Sequence, residues 1–146
     1  MRNGRLRRYL SDSFSSKPSA YQVIVGDTPA FNMTESIIGL NLTPKKFGEP
    51  RYLFYRPLAS FDLNYVKTSD LKFATDDPQN VQSFRTQQLL NVLPSQAVGQ
   101  VISSDGIMFL GLTRERAIAC WNMRNPPSTQ NIVCLFFEIV CKIDIF

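Results

Sequence analysis

Trp121 is the only tryptophan in the chain, and it sits between Cys120 and Asn122. An indole with an amide beside it can stack against, and hydrogen-bond to, an indole or catechol ring. The competing reading, a packing tryptophan with Asn122 tying down a turn, is the stronger of the two. Cys120 has no neighbouring base to hold it as a thiolate. It therefore reads as a disulfide candidate or a small buried hydrophobe rather than a nucleophile. The chain contains no histidine. That excludes Ser-His-Asp and Cys-His catalysis, histidine acid–base work and most zinc or copper sites, so neither a metal nor a cofactor is expected. Asp62, Asp70 and Asp105 stand in turns, and no pair of carboxylates has a spacing that argues for acid–base chemistry. Arg51 and Arg56 form a candidate basic patch for an anion, although such residues more often solvate the end of a strand.

The elements that must position these groups are short strands. Asp105-Gly106 lies between the apolar runs Val98–Ile102 and Gly106–Leu110, the strongest local hairpin signal in the chain. Ala117–Asn122 follows as a third strand through the charged turn Thr113–Arg116. Upstream, strands are expected at Tyr21–Val25, Ile37–Leu42, Arg51–Arg56 and Leu63–Thr68, the last from its alternation of apolar and polar residues. Pro29 should stop the first of these after the Gly26-Asp27 turn, and Pro57 should end the third or place it at an edge. Ser69-Asp70-Leu71 fits a single helical turn. Lys45–Pro50 is a charged connection, Thr75–Asn80 a polar loop, and Val81–Val92 shows no clear periodicity.

These strands repeat. Gly39–Thr43 precedes Gly99–Ser103 by 60 positions, and Phe54–Ser60 precedes Phe109–Glu115 by 55. The longer Lys45–Pro50 connection accounts for the difference. Short strands joined by tight turns at this interval fit the four-stranded blades of a β-propeller, an all-β fold of which this chain holds about two to three blades. A blade cannot bury its faces alone, so the missing blades are partners needed for ring closure, and the isolated chain should be poorly soluble or molten. In this frame Gln96 and Gln100 begin the innermost strand of the second unit. They become candidates to contact a ligand in the channel, or simply to make satisfied channel hydrogen bonds. Phe54 and Phe109 occupy matching core places.

The 146 residues carry a net charge of +4, all of it attributable to Arg2, Arg5, Arg7 and Arg8. A nucleic-acid arm would show interleaved aromatics, which do not follow; a solvated terminus without nucleic-acid binding is expected. No stretch reaches the ~18 apolar residues of a membrane span. Met1 is not followed by a signal-peptide pattern, yet Asn32-Met33-Thr34 and Asn41-Leu42-Thr43 are glycosylation sequons of the secretory route. Both observations hold together if the chain is an internal piece of a longer precursor. Asn41 lies in an expected strand, which would hinder a glycan. Cys120, Cys134 and Cys141 are an odd count, which cannot pair completely within the chain.

Two stretches resemble the yellow / major royal jelly protein family of insects. One is Ser95-Gln96 through Ser103-Ser104-Asp105-Gly106 and Phe109-Leu110-Gly111-Leu112 to Ala117-Ile118-Ala119-Cys120-Trp121-Asn122. The other is Arg51-Tyr52-Leu53-Phe54-Tyr55-Arg56-Pro57-Leu58-Ala59-Ser60, followed by Val66–Leu71. The resemblance covers residues 21–133, after a polar segment 1–20 and before an apolar tail 134–146 unlike the family. It implies part of a secreted six-bladed propeller active in pigmentation and melanisation or in extracellular binding. Two alternatives come with it: a dopachrome isomerase of melanin synthesis, and a binder of small aromatic biogenic amines using Trp121 and Asn122. The partner it implies is a small aromatic amine or a catechol-derived molecule.

Overall fold

The computed structural model describes residues 9–72 and 86–135, with only the backbone of Lys72 and of residues 133–135. The arginine-rich start, the Thr75–Asn80 loop and most of the C-terminal tail fall outside the described residues.

A hairpin of β1 (Gln22–Val25) and β2 (Thr28–Asn32) comes first. Two four-stranded antiparallel sheets follow, each a simple meander. The first is β3 (Ile37–Leu42), β4 (Tyr52–Pro57), β5 (Leu63–Lys67) and β6 (Gln87–Leu89). The second is β7 (Ala97–Ile102), β8 (Ile107–Leu112), β9 (Ala117–Asn122) and β10 (Ile132–Leu135). These are two propeller blades in an all-β fold. β3 and β7 start 60 positions apart and β4 and β8 start 55 apart, matching the repeat. The likeness extends to a bulge in each inner strand, between Ile37 and Gly39 and, one position farther along in the repeat, between Val98 and Gln100. In the second blade Gly111 is required there, since a Cβ would come 2.6 Å from the Val98 carbonyl.

β3 and β7 lie against each other. The pleat sends Phe54 of β4 and Leu63 of β5 toward the second blade, where Met108, Leu110, Ala119 and Trp121 meet them in one buried cluster. The opposite face of the second blade is open: Val101 and Ile118 are exposed, and Phe109 is only half-buried where its repeat-mate Phe54 is buried.

Three expectations are revised, and a fourth, at Pro57, holds in one of its two forms. Pro29 does not stop a strand but lies within β2, a two-stranded edge beside the bulge at Val23/Ile24, where a missing N–H is tolerated. Pro57 does end its strand, as the last residue of β4, but that strand is interior rather than at an edge. The aperiodic stretch before Val92 contains β6, whose three residues pair with β5. Arg56 does not solvate a strand end. Its even position on β4 turns it toward the second blade, where it is fully buried.

The polar segment before β1 is irregular, as expected, but it is docked across both blades. It forms 3-10 turns at Asp12–Phe14 and Pro18–Ala20. On the first blade, Ser13 Oγ shares a 2.7 Å hydrogen bond with Tyr55 Oη, Phe14 packs edge-on against the Tyr55 ring, and Lys17 pairs with the buried Asp62. On the second blade, the Gln96 amide donates to the Ala20 and Gln22 carbonyls at 3.0 and 2.7 Å.

Candidate functional site

The site grows from the alternation Tyr52-Leu53-Phe54-Tyr55 on β4. Residues 52 and 54 share a face, and Tyr65 stands directly opposite Phe54 on β5. The Phe54 and Tyr65 rings stack with centroids 5.1 Å apart, and Tyr52 meets Tyr65 edge-on at 5.7 Å. Trp121, from β9 of the second blade, closes the arrangement edge-to-face on Phe54 at 5.7 Å. Its indole N–H donates to the Asn125 carbonyl at 3.1 Å, which fixes the ring against the turn after β9.

The connection between β3 and β4 forms the lid. Its 3-10 turn Lys45–Phe47 reaches across to the β7–β8 hairpin of the second blade. Lys46 Nζ bonds Asp105 at 2.6 Å. The Phe47 ring lies so close over Gly106 that a Cβ there would be 2.1 Å from its Cζ. Gly106 also has φ +80°, a backbone region that favours glycine.

Together these residues line an open-sided cavity of about 480 Å³ between the two blades, floored by Tyr52, Phe54, Tyr65 and Trp121 and rimmed by Phe47, Pro50 and Met123–Pro127. A neighbouring hollow of about 410 Å³ shares Tyr52 and Tyr65 and adds Lys67, Asp70 and Gln87. The larger cavity is within the size range of small-molecule sites, and its aromatic walls suit a flat ring. Apart from the tyrosines, Arg124 is the one ionisable residue among its described lining. At the mouth, the Lys46 hydrogen bond and charge, with a smaller contribution from Arg124, hold the Asp105 carboxyl below its ordinary range.

Of the four candidate ligand contacts, only Trp121 lines this cavity. Asn122 accepts the Arg124 backbone N–H at 3.1 Å and so shapes the turn that carries the rim. Gln96 is buried and holds the N-terminal segment. Gln100 lies inboard on β7, its amide 3.5 Å from the Phe54 carbonyl. Beside it, Arg56 donates Nη2 to the Gly99 carbonyl at 2.9 Å, while its Nε and Nη1, Gln100 Oε1 and Asn41 Oδ1 have no partner among the described residues. Burial lowers the Arg56 pKa to about 10. The interface is thus polar and tightly closed inboard, aromatic and hollow further out.

The sequence did not single out Tyr52, Tyr65, Phe47 or Arg124 as a site. The aromatic alternation of β4 was a usable signal for the first two; Phe47 and Arg124, in charged turns, carried none. Asn32 is exposed on β2, whereas Asn41 is half-buried on β3. Cys120 is disulfide-bonded. Among the described residues, no three His, Cys, Asp or Glu side chains converge on a metal position, and no helix is long and apolar enough to cross a membrane.

A family model described as major royal jelly protein matches residues 1–136, farther toward both ends than the two resembling stretches. Among curated proteins of Apis mellifera, major royal jelly protein 2 is 30% identical over 125 residues, 86% of this chain and 26% of its own length. Major royal jelly protein 9 is 31% identical, covering 93% of this chain and 29% of its own length. Major royal jelly protein 3 is 33% identical, with shares of 79% and 20%. The chain therefore spans less than a third of the length of these relatives. With two successive blades and a family match that runs through nearly all of its residues, the chain belongs to the major royal jelly protein family.

Proposed function

We propose that this chain supplies two blades of an extracellular binding propeller that holds a small flat aromatic molecule, of catechol or indole type, between the blades. The observation that carries this reading is the cavity of about 480 Å³ with Tyr52, Phe54, Tyr65 and Trp121 in its wall. Its described lining offers tyrosine hydroxyls and an arginine but no carboxylate, which suits holding a ring better than shuttling protons. The Cys120 disulfide supports an oxidising compartment, and the relatives are named for royal jelly. Within that compartment Asn32, exposed on the hairpin, is the better glycan acceptor, since Asn41 Oδ1 is sealed inside the blade interface.

Calorimetric titration of the 146-residue chain with catechol and 3-methylindole tests the proposal. Saturable binding should weaken about three- to tenfold in Tyr65→Ala and in Trp121→Phe, the scale of one aromatic contact. Absence of saturable heat, or binding untouched by both substitutions, overturns it. Loss of dopachrome absorbance faster than in buffer would put an isomerase in its place.

A further inference from the structure

We infer that the inter-blade cavity selects aromatic carboxylates over aromatic amines. This rests on the binding role proposed above and adds the sign of the ligand's charge. Arg124 stands at the rim as the only non-tyrosine ionisable residue among the described lining. The lid and the strand it feeds carry Lys45, Lys46, Glu49 and Arg51, and the hairpin beneath the lid carries Asp105. On the rim, lid and hairpin together, four cations (Lys45, Lys46, Arg51 and Arg124) outnumber the two carboxylates Glu49 and Asp105, and of these six only Arg124 lines the cavity itself.

Both carboxylates already carry a protein partner on one oxygen. Lys46 already occupies Asp105, and Glu49 Oε2 accepts the Arg51 backbone N–H at 3.2 Å. Arg51 Nε donates to the carbonyl of Thr43, itself a lining residue, so its guanidinium stands behind the cavity wall. The adjoining hollow holds one Lys67 and one Asp70, which leaves the balance unchanged. A ring seated on Tyr65 and Trp121 therefore presents its side chain to a positive mouth. A carboxylate there gains a partner in Arg124, and an ammonium meets a like charge.

Equilibrium dialysis of the full chain against 3-methylindole, indole-3-propionate and tryptamine separates this inference from the reading beneath it. The three probes share a ring and differ in charge. One unit of excess charge at ~4 Å in water is worth roughly fivefold in affinity, so with screening the propionate should bind about tenfold more tightly than tryptamine at low salt. The preference should shrink as salt rises. Normalised to 3-methylindole for each variant, Arg124→Gln should bring the two charged probes toward parity. Asp105→Asn, which removes a carboxylate without enlarging the turn residue, should widen the gap. Binding of 3-methylindole with parity of the charged probes in the native chain, or with tryptamine the tighter, overturns the charge selection while leaving the pocket. Failure of 3-methylindole itself to bind overturns the pocket and this inference together.

Discussion

Gly106→Ala should destabilise the blade interface by an amount that depends on Phe47. Two costs combine at this position. The first is conformational: φ is +80°, and placing a side chain in left-handed backbone costs about 1–2 kcal/mol. The second is steric: the new Cβ would stand 2.1 Å from Phe47 Cζ and 2.3 Å from Cε2, so the ring must leave. Phe47 is 40% exposed, so it has room to swing outward, and what is lost is its partial burial. At 1.5–3 kcal/mol for a fully buried ring, that loss is about 1 kcal/mol. The single substitution should therefore cost about 2–3 kcal/mol, and in a Phe47→Ala background only the backbone share of about 1–2 kcal/mol should remain. Urea unfolding followed by the fluorescence of Trp121, the sole tryptophan, reads all four members of the cycle. Equal costs of Gly106→Ala in both backgrounds would refute the contact between lid and hairpin.

Arg56→Met should be neutral to stabilising by about 1–2 kcal/mol. The penalty of burying the guanidinium, of order 3 kcal/mol from its lowered pKa, exceeds the one hydrogen bond lost to Gly99. That penalty is whole below about pH 10 and eases only above it, so urea midpoints at pH 7 read it in full. Gln96→Ala should cost about 2 kcal/mol by leaving the Ala20 and Gln22 carbonyls without their donor. It should also raise amide exchange across β1 selectively, whereas a uniform rise would speak against a strap. Because Lys46 depresses the Asp105 pKa, the ionised carboxylate is favoured in the fold. Its stabilisation is present above the ordinary aspartate range and lost as pH falls through the lowered value. The acid limb of stability against pH should accordingly be shallower in Asp105→Asn, and an unchanged limb would count against the pair.

What could be read in advance was whatever a few adjacent residues decide. Asp105-Gly106 between apolar runs dictates its hairpin locally, and β3 begins and ends at the residues its pattern implied. β6 could not be read, because Gln87–Leu89 is strand only through its partner β5. The same holds for the N-terminal segment, whose anchor from Ser13 to Tyr55 joins residues 42 positions apart. Arg56 was misplaced for a related reason. Alternation says which residues of β4 share a face, but not that this face meets another blade. Trp121 stood out by its rarity; the rest of its aromatic box depended on that same inter-blade contact.

The cavity exists because the two blades are not copies. The shift from a 60-residue to a 55-residue offset is the extra length of the β3–β4 connection, and that extra chain carries Phe47 and Pro50 over the gap. The equivalent connection in the second blade is the tight Ser103–Gly106 turn. It is short enough to lie beneath the lid and, at Gly106, bare enough to receive the Phe47 ring. Trp121 departs from the repeat in the same way: its counterpart 55 positions earlier is Val66, buried without a ring. A blade pair with two short turns and a valine at that place would pack closed, as the inboard layer around Arg56 and Gln100 does. The pocket and its charge therefore follow from insertion and substitution at the points where the repeat fails, and the regular strands on either side hold those points in register.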